Sequence, residues 1–207
     1  MIEDNLIELG TMQEFKDSMF NILKNYDSKA CNLMISGGSI IKCLDCDQLE
    51  TLDTLQWKIF FCDERCEEKH SNFKSASSFL EKIRGEVFPI KILANSEESA
   101  KNYEDILKKN IHKIDVCLLG IGENGHICSL WPNSESLNSK ALVERVEVDC
   151  NASSVRITVT LCFINQFVKN LIFVIPPKNG KSKGIKKPDK SIIERLKVGY
   201  KVYFMKY

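Results

Sequence analysis

A glycine-rich segment at residues 118–126 ends in a histidine, the side chain best suited to proton transfer near neutral pH. An apolar run and three glycines precede His126, so a buried strand would deliver the imidazole into a loop, at the expected start of a helix. A lone histidine is more often structural than catalytic. The chain has only 3 histidines, however, and His70 and His112 lie in polar surroundings without glycines. We therefore interpret His126 as the functional histidine.

The three glycines of this segment also have the spacing of a dinucleotide-binding loop, Gly-x-Gly-x-x-Gly, at residues 120–125. That fingerprint belongs to the first strand of a βαβ unit, with an acidic residue about twenty positions further on. Here it occurs late in the chain and runs directly into His126. The pattern does not favour a nucleotide-binding function.

A second loop, Ser36-Gly37-Gly38-Ser39, follows a short apolar run and precedes a helical pattern. Glycines let the backbone approach a ligand closely, and the N–H groups at a helix start favour an anion. The two serines add hydroxyl groups. These features predict a phosphate cradle, with a tight strand-to-helix turn as the equally good alternative.

A third loop carries Asp63, Glu64 and Arg65 directly after an apolar strand pattern, with Ser71 and Asn72 a few residues further on. A guanidinium group can bind phosphate or carboxylate oxygens in a forked geometry, and the acids can orient it or accept from sugar hydroxyls. A solvated charge cluster is the alternative. The position at the end of a strand favours a functional role.

Basic side chains come from two later segments. Arg156 lies in a strand pattern, and a buried arginine needs a partner that an anionic ligand would supply. Lys183 lies in a stretch at 176–191 that is rich in Pro, Gly and Lys and is typical of a solvated loop. The residues alone do not choose among Lys178, Lys181 and Lys183.

Apolar periodicity alternates between helical and strand-like spacing along the chain. The expected helices cover 11–25, 75–84, 97–110 and 161–168. The expected strands cover 32–35, 57–62, 90–93, 115–120, 155–159, 170–175 and 202–205. This alternation predicts one α/β domain over residues 1–207, with a mainly parallel, Rossmann-like sheet and helices on both faces. Ligands of such folds bind beyond the carboxyl ends of the strands, where the loops described above lie.

The charge balance argues against partners that bind by net charge. With 29 Lys and Arg against 28 Asp and Glu, the formal charge is +1, which does not favour nucleic acid or an anionic membrane. The sequence shows no secretory signal and no bilayer-length apolar stretch. We therefore expect a cytoplasmic protein that acts on a small molecule.

Nine cysteines are scattered along the chain, several of them inside apolar runs. Such thiols behave as small buried hydrophobic groups, and an odd, scattered set fits reduced cysteines better than a disulfide framework. Cys43 and Cys46, or Cys62 and Cys66, could be imagined as zinc ligands. Ligand-like spacing is a weak signal in a cysteine-rich chain, so we expect no metal site.

The order of these loops resembles that of the 6-phosphogluconolactonases over residues 30–183. The matching segments are SGGS at 36–39, DER at 63–65, SN at 71–72, LLGIGENGH at 118–126, SLWP at 129–132 and RIT at 156–158, with GKSK at 180–183 extending the match. The family shares its α/β fold with the glucosamine-6-phosphate deaminases, which are the main rivals.

Two segments separate these rivals. The deaminases usually continue past the histidine with Phe-Asn-Glu-Pro, whereas this chain has SLWP at 129–132, close to the Ser-Leu-Phe-Pro of lactonases. The deaminases also usually carry Asp-Glu-Tyr where this chain has DER at 63–65. One departure goes the other way, because lactonases usually have Asp where this chain has Asn124.

The resemblance implies hydrolysis of 6-phospho-D-glucono-1,5-lactone to 6-phosphogluconate, in the oxidative pentose phosphate pathway, without metal or cofactor. His126 would be the general base on water, and Arg65, oriented by Asp63, would contact the substrate. The implied substrate-binding residues are Ser36, Gly37, Gly38, Ser39, Asn124, Gly125, Arg156 and Lys183. The family is sometimes fused to glucose-6-phosphate dehydrogenase, so functional coupling to that enzyme is a further hypothesis. A deaminase-like isomerase and a non-catalytic sugar-phosphate sensor are the alternatives.

Overall fold

Seven parallel strands form the central sheet of the computed structural model, which describes residues 6–149, 153–177 and 187–205. Their spatial order is β1 (Leu6–Leu9), β10 (Tyr200–Met205), β9 (Leu171–Ile175), β6 (Val116–Leu119), β2 (Cys31–Ile35), β3 (Trp57–Phe61) and β5 (Glu86–Phe88). The predicted fold class, an α/β domain with a mainly parallel sheet covered by helices, is confirmed.

The central strands are covered on both faces, and their composition explains why. Every residue of β6 and of β9 is buried, as are Leu33 to Ile35 of β2. Strands buried on both faces are near-continuous apolar runs rather than alternating patterns. This is why the sequence alone predicts most of these strands.

Seven α-helices connect or flank the strands in the described residues. They are α1 (Met12–Lys24), α2 (Ser39–Leu44), α3 (Asn72–Ser75), α4 (Ser77–Leu80), α5 (Ser96–Asn110), α6 (Leu161–Phe167) and α7 (Lys190–Ile193). Thr11 caps α1 and Asn95 caps α5, each accepting a hydrogen bond from a backbone N–H group of the first turn. In the part of the chain that the structure describes, no helix has the length and apolar character needed to cross a membrane.

Two predicted elements between residues 75 and 93 differ from the structure. The helix expected at 75–84 is present only as α4, which covers Ser77–Leu80, and Ala76 separates it from α3 by leaving helical geometry. The strand expected at 90–93 lies earlier, at β5, where Val87 and Phe88 pair with β3. The exposed Glu86 at the start of β5 weakens the apolar pattern of this edge strand.

A second, antiparallel sheet is the main feature that the periodicity does not predict. Its order is β4 (Asp63–Arg65), β8 (Val155–Val159) and β7 (Val143–Glu147). The segment at 155–159 is a strand as predicted, but it belongs to this sheet. The strand β4 follows β3 after a single residue and is fully charged, so its sequence looks like a loop.

The central sheet changes its direction of winding between β2 and β6. The chain passes from β2 outward to β3 on one side, and from β6 outward to β9 and β10 on the other. A crevice forms at such a point because the loops after the two strands diverge. The loops that begin at Ser36 and Gly120 leave the sheet here, and β4 starts beside them.

The hydroxyl of Tyr103 completes the ladder of β3 at its carboxyl end. This fully buried side chain of α5 accepts a hydrogen bond from the Phe61 N–H at 2.9 Å and donates one to the Phe61 carbonyl at 2.8 Å. The pairing of β3 with β5 ends one residue earlier, at Phe60. A single hydroxyl therefore replaces a missing strand neighbour just before Asp63.

We expect Tyr103→Phe to lower the free energy of unfolding by about 1–3 kcal/mol, because it leaves the buried N–H and carbonyl groups of Phe61 without this partner. Urea denaturation followed by circular dichroism measures the loss. Tyr200→Phe, at a half-buried position of β10, is the matched control and should change stability by less than about 0.5 kcal/mol. Equal effects of the two substitutions would contradict this role of Tyr103.

Candidate active site

A cavity of about 170 Å³ lies at the carboxyl ends of β2, β3 and β6, beside the second sheet. Eight of the predicted site residues line it: Ser36, Gly37, Gly38, Ser39, Asp63, Arg65, His126 and Arg156. They come from four separate segments of the chain. The fold thus brings together the loops that the sequence analysis singled out.

Two predicted substrate-binding residues, Asn124 and Gly125, do not line this cavity. Asn124 lies behind His126 and contacts its ring. Gly125 forms the turn before His126, with a φ of +83°, and its carbonyl accepts a hydrogen bond from the Asp189 N–H at 2.9 Å. Lys183 lies outside the described residues, as do Lys178 and Lys181.

A larger cavity, of about 440 Å³, lies at the opposite end of the sheet. Its lining includes Tyr26, Tyr200 and Tyr203 and none of the predicted site residues. Volume alone does not identify a site, whereas convergent glycines, acids, bases and a histidine do. We therefore assign the candidate active site to the smaller cavity.

Two glycine loops meet in the crevice and are hydrogen-bonded to each other. The Ser36 hydroxyl accepts from the Gly120 N–H at 3.1 Å, and the Ser36 N–H donates to the Leu118 carbonyl at 3.0 Å. Gly38 has a φ of +77°, a conformation that favours glycine, and it directly precedes α2. The arrangement holds exposed backbone close to the cavity, as a cradle for an anion requires.

His126 is oriented by Asn124 and by an aromatic neighbour. The Asn124 Oδ1 atom lies 2.5 Å from the imidazole Nδ1 and 3.3 Å from the backbone N–H of His126. Because a backbone N–H can only donate, the atom facing it is the amide oxygen, and Nδ1 therefore carries a proton. The lone pair of the neutral ring then resides on Nε2, the nitrogen that can act as a base.

The imidazole ring also packs tightly on its other sides. Trp131 stacks on it with ring centroids 5.3 Å apart and an angle of 4° between the planes. A Cβ atom at Gly122 would lie 2.1 Å from the imidazole Cε1, so only glycine leaves room for the ring. This packing fixes the direction in which Nε2 points.

The helix expected to begin at His126 is wrong. Residues 127–130 form a tight turn instead, with a bridge between Ile127 and Leu130 and a φ of +50° at Cys128. A residue in the left-handed region cannot start a right-handed helix. The turn places Ser129 and Trp131 against the site.

Asp63 and Arg65 have different partners from those predicted. The Asp63 carboxylate accepts hydrogen bonds from the Ser129 hydroxyl at 2.8 Å and from the Asn72 Nδ2 at 3.1 Å. The Arg65 guanidinium donates to the His70 carbonyl at 2.8 Å. The prediction that Asp63 orients Arg65 is therefore wrong, because the carboxylate turns toward the 127–130 turn.

Glu64 is a buried structural anion rather than a substrate contact. Its carboxylate, in a residue only 2% exposed, accepts from the Asn72 N–H at 2.6 Å, the Phe73 N–H at 2.9 Å and the Ser71 hydroxyl at 3.0 Å. It also accepts from the Arg65 N–H at 2.7 Å. These hydrogen bonds fasten the start of α3 to β4 and replace the water that the charge loses on burial.

Two guanidinium groups face the same cavity. Arg65 and Arg156 are directly opposite each other on β4 and β8, and both line the cavity. Arg156 is buried, and its Nε donates to the Ser153 carbonyl at 3.2 Å. Like charges directly opposite across a ladder are unfavourable, so this pair favours an anionic ligand between or beside them.

The structure adds several residues that the sequence analysis did not assign a role. Asn72 and Cys128 line the cavity, while Ser129 and Trp131 hold Asp63 and His126 in place. Asn72, Ser129 and Trp131 lie inside segments that carry the family resemblance, and that is the signal by which they could have been found. Cys128 had no such signal.

Buried thiols lie behind the site. Burial raises the pKa of Cys62 and of Cys117 well above the ordinary value, so both thiols are protonated at neutral pH and make poor metal ligands. Across residues 6–149, 153–177 and 187–205, no cluster of three or more His, Cys, Asp or Glu side chains could hold a metal ion.

The chain is similar in sequence to known phosphogluconolactonases. The family described as glucosamine-6-phosphate isomerases/6-phosphogluconolactonase matches residues 11–185. The relative named 6-phosphogluconolactonase 3, chloroplastic, of Arabidopsis thaliana is 34% identical over 161 residues, which cover 66% of this chain and 50% of that protein. The chain thus spans about half the length of the curated relatives that match it in this way.

Solved structures share the fold at low sequence identity. A 6-phosphogluconolactonase from Shewanella baltica has a TM-score of 0.81 at 18% identity, covering 97% of each chain. A monomeric glucosamine-6-phosphate deaminase has a TM-score of 0.77 at 17% identity, covering 98% of this chain and 97% of its own. The two activities named for these structures therefore occur on the same architecture.

We expect Glu64→Gln to lower the free energy of unfolding by about 3 kcal/mol, because the amide NH₂ group would face donors that the carboxylate now accepts from. Chemical denaturation measures the change. Glu67→Gln is the control, since Glu67 is exposed and pairs only with the exposed Lys69 at 3.2 Å. Its expected effect is below about 0.5 kcal/mol. Similar effects at the two positions would show that the buried carboxylate is not important for stability.

Proposed function

Because the chain belongs to the glucosamine-6-phosphate isomerase/6-phosphogluconolactonase family, we propose that it is a lactonase that hydrolyses 6-phospho-D-glucono-1,5-lactone to 6-phosphogluconate. The observation that carries this proposal is the geometry of His126. Its Nδ1 is protonated toward Asn124, its Nε2 is the base, and the ring lines a cavity that also contains two arginines. The site thus combines a general base with groups that bind an anion.

His126 begins the reaction by removing a proton from water. The water oxygen forms a bond to the lactone carbonyl carbon as Nε2 takes the proton, giving a tetrahedral intermediate with negative charge on the former carbonyl oxygen. The bond between that carbon and the ring oxygen then breaks, and the imidazolium returns its proton to the leaving ring oxygen. One water molecule is consumed, and the imidazole of His126 returns to its neutral form.

Negative charge in this reaction is stabilised by fixed positive groups. The Arg65 guanidinium lies on the cavity wall and can face the developing oxyanion, together with the backbone N–H of Ile121. The N–H groups of Gly120 and Gly122 already donate to the Ser36 hydroxyl and to the His126 carbonyl. The 6-phosphate is assigned to residues 36–39 and to Arg156, with Lys183 as a further ligand. Binding at the phosphate end holds the lactone carbonyl close to His126.

The segment at 129–132 supports the lactonase over the deaminase. The deaminases usually have Phe-Asn-Glu-Pro there, and this chain has SLWP. In the structure Ser129 binds Asp63 and Trp131 stacks on His126, so two of the three differing positions contact the proposed machinery. The change in sequence is therefore a change in the active site itself.

Pathway, location and coupling remain part of the proposal. The substrate would come from oxidation of a phosphorylated aldose by a dehydrogenase, which supports a place in the oxidative pentose phosphate pathway and functional coupling to glucose-6-phosphate dehydrogenase. A cytoplasmic location stays a prediction. The similar Arabidopsis protein is chloroplastic by name.

The first test of the proposal is lactone hydrolysis. The lactone is generated freshly by glucose-6-phosphate dehydrogenase, and the spontaneous rate is subtracted. We expect activity in the wild type and a loss of about 10²–10⁴-fold in His126→Ala, the usual contribution of a general base. His112→Ala, at an exposed histidine, is the control and should retain wild-type activity.

No lactone hydrolysis above the spontaneous rate in the wild type would overturn the proposal. Ammonia release from glucosamine 6-phosphate would then identify a deaminase. Binding of 6-phosphogluconate without either reaction would identify a sugar-phosphate sensor.

The neutral amide at Asn124 determines how activity depends on pH. Asn124→Asp would place a carboxylate beside Nδ1 and favour the imidazolium, which cannot act as a base. We expect the acid limb of kcat/KM to move to higher pH by about one unit, with a higher rate on the plateau, because the carboxylate also stabilises the imidazolium of the transition state. Asn124→Ala is the control. It should lower kcat/KM on the plateau without moving the acid limb to higher pH. Superimposable profiles of wild type and Asn124→Asp would contradict the contact.

A further inference from the structure

The peptide unit between Gly125 and His126 is held at both of its polar ends. Its carbonyl accepts a hydrogen bond from the Asp189 N–H at 2.9 Å, and its N–H donates to the Asn124 Oδ1 at 3.3 Å. The same amide oxygen lies 2.5 Å from the imidazole Nδ1. Because a peptide unit is planar and turns as one body, the hydrogen bond from Asp189 also fixes the direction of the His126 N–H. The contact that sets the tautomer of His126 therefore depends on Asp189.

Asp189 lies in a capped turn that packs closely against Gly125. Its Oδ1 atom accepts from the Ser191 N–H at 2.8 Å and from the Ser191 hydroxyl at 2.6 Å, so the carboxylate caps α7. A Cβ atom at Gly125 would lie 2.8 Å from the Asp189 nitrogen, so glycine is needed for this approach. The position of the Asp189 N–H is thus fixed by its own side chain and by the close packing.

The helix α7 joins both segments that hold the stacked rings of the site. Ile192 is fully buried in the hydrophobic core and anchors the helix. The Ser191 hydroxyl accepts from the Asn133 N–H at 3.2 Å, two residues after Trp131. One short helix therefore contacts the turn before His126 and the segment that follows Trp131.

We propose that Asp189 is a positioning residue for His126: its N–H fixes the peptide unit that precedes the imidazole, and its carboxylate fixes that N–H through Ser191. This inference rests on the proposed function for the role of His126 as the base. Asp189 does not line the cavity, so its effect on the reaction should come through the imidazole rather than through substrate binding. A small misplacement of a catalytic group lowers the rate strongly.

Asp189→Pro tests the N–H directly. Proline has no backbone N–H, and the φ of −55° at Asp189 suits its ring. We expect kcat to fall about 10- to 100-fold with KM changed by less than about threefold, because the base is misplaced while substrate contacts remain. Asp189→Ala keeps the N–H and removes only the carboxylate, so its kcat should lie between those of the wild type and Asp189→Pro.

Lys190→Pro is the matched control for a proline in this turn. Lys190 is exposed and occupies the first position of α7, where proline is well tolerated. The ψ of 150° at Asp189 also suits a residue that precedes proline. We expect Lys190→Pro to keep kcat within about twofold of the wild type. Equal kcat values of Asp189→Pro and Lys190→Pro would overturn the inference.

The tautomer of His126 gives a readout that does not depend on activity. At a pH where the ring is neutral, NMR of the ring nitrogens distinguishes a proton on Nδ1 from one on Nε2, and His126→Ala assigns the signals. We expect the Nδ1–H form in the wild type and in Lys190→Pro. In Asp189→Pro the Nε2–H form, which free histidine prefers, should gain population. An unchanged tautomer in folded Asp189→Pro would contradict the proposed role.

A pair of substitutions at Ser191 covers the case in which Asp189→Pro does not fold. Ser191→Ala removes the hydroxyl that joins the Asp189 carboxylate to the Asn133 N–H, whereas Ser191→Thr keeps a hydroxyl there. We expect Ser191→Ala to lower kcat about 3- to 10-fold and Ser191→Thr to restore it. The same kcat in the wild type and both variants would refute the inference.

The inference and the proposed function can fail separately. A wild type that hydrolyses no lactone refutes the function, and the tautomer measurement alone then decides whether Asp189 orients the ring. A wild type that hydrolyses the lactone, with Asp189→Pro behaving as Lys190→Pro does, refutes the role of Asp189 and leaves the lactonase in place.

Discussion

The buried carboxylate of Glu64 is the constraint on which the rest of the site depends. A charge removed from water must be compensated by several donors, and here the backbone and side chains of β4 and the start of α3 provide them. These hydrogen bonds fix the backbone positions of Arg65 and Asn72. Asn72 then holds Asp63, and Asp63 holds Ser129 in the turn after His126. Glu64, which does not line the cavity, therefore links elements that do.

The second sheet explains how an almost neutral protein can bind an anion. Its strands place Arg65 opposite Arg156, so two positive charges converge although the formal charge of the chain is only +1. The local field in a small, partly enclosed cavity is determined by such neighbours rather than by the total charge. In the proposed lactonase, attraction for a phosphate would thus come from the pairing of two short strands.

The elements that the sequence predicts best are those whose residues are buried. The strands β2, β3, β6 and β9 were predicted because continuous apolar runs identify them, and the loops after them contain most of the cavity lining. The strand β4 was missed because a charged tripeptide carries no strand signal; its pairing comes from tertiary contacts with β8. The partners of Asp63 and the turn after His126 were missed for the same reason. They depend on residues distant in sequence, such as Asn72 and Ser129, which local patterns do not connect.

The stack between His126 and Trp131 gives the molecule an optical reporter in the candidate active site. The chain has two tryptophans, and the other, Trp57, is fully buried in β3, where its indole N–H donates to the Tyr26 carbonyl at 3.0 Å. A charged imidazolium lying against an indole face interacts with its π-electrons, whereas the neutral ring does so weakly. Emission from Trp131 therefore follows the protonation of His126, with Trp57 as a constant background. Intrinsic fluorescence can thus follow the protonation of His126 without any added label.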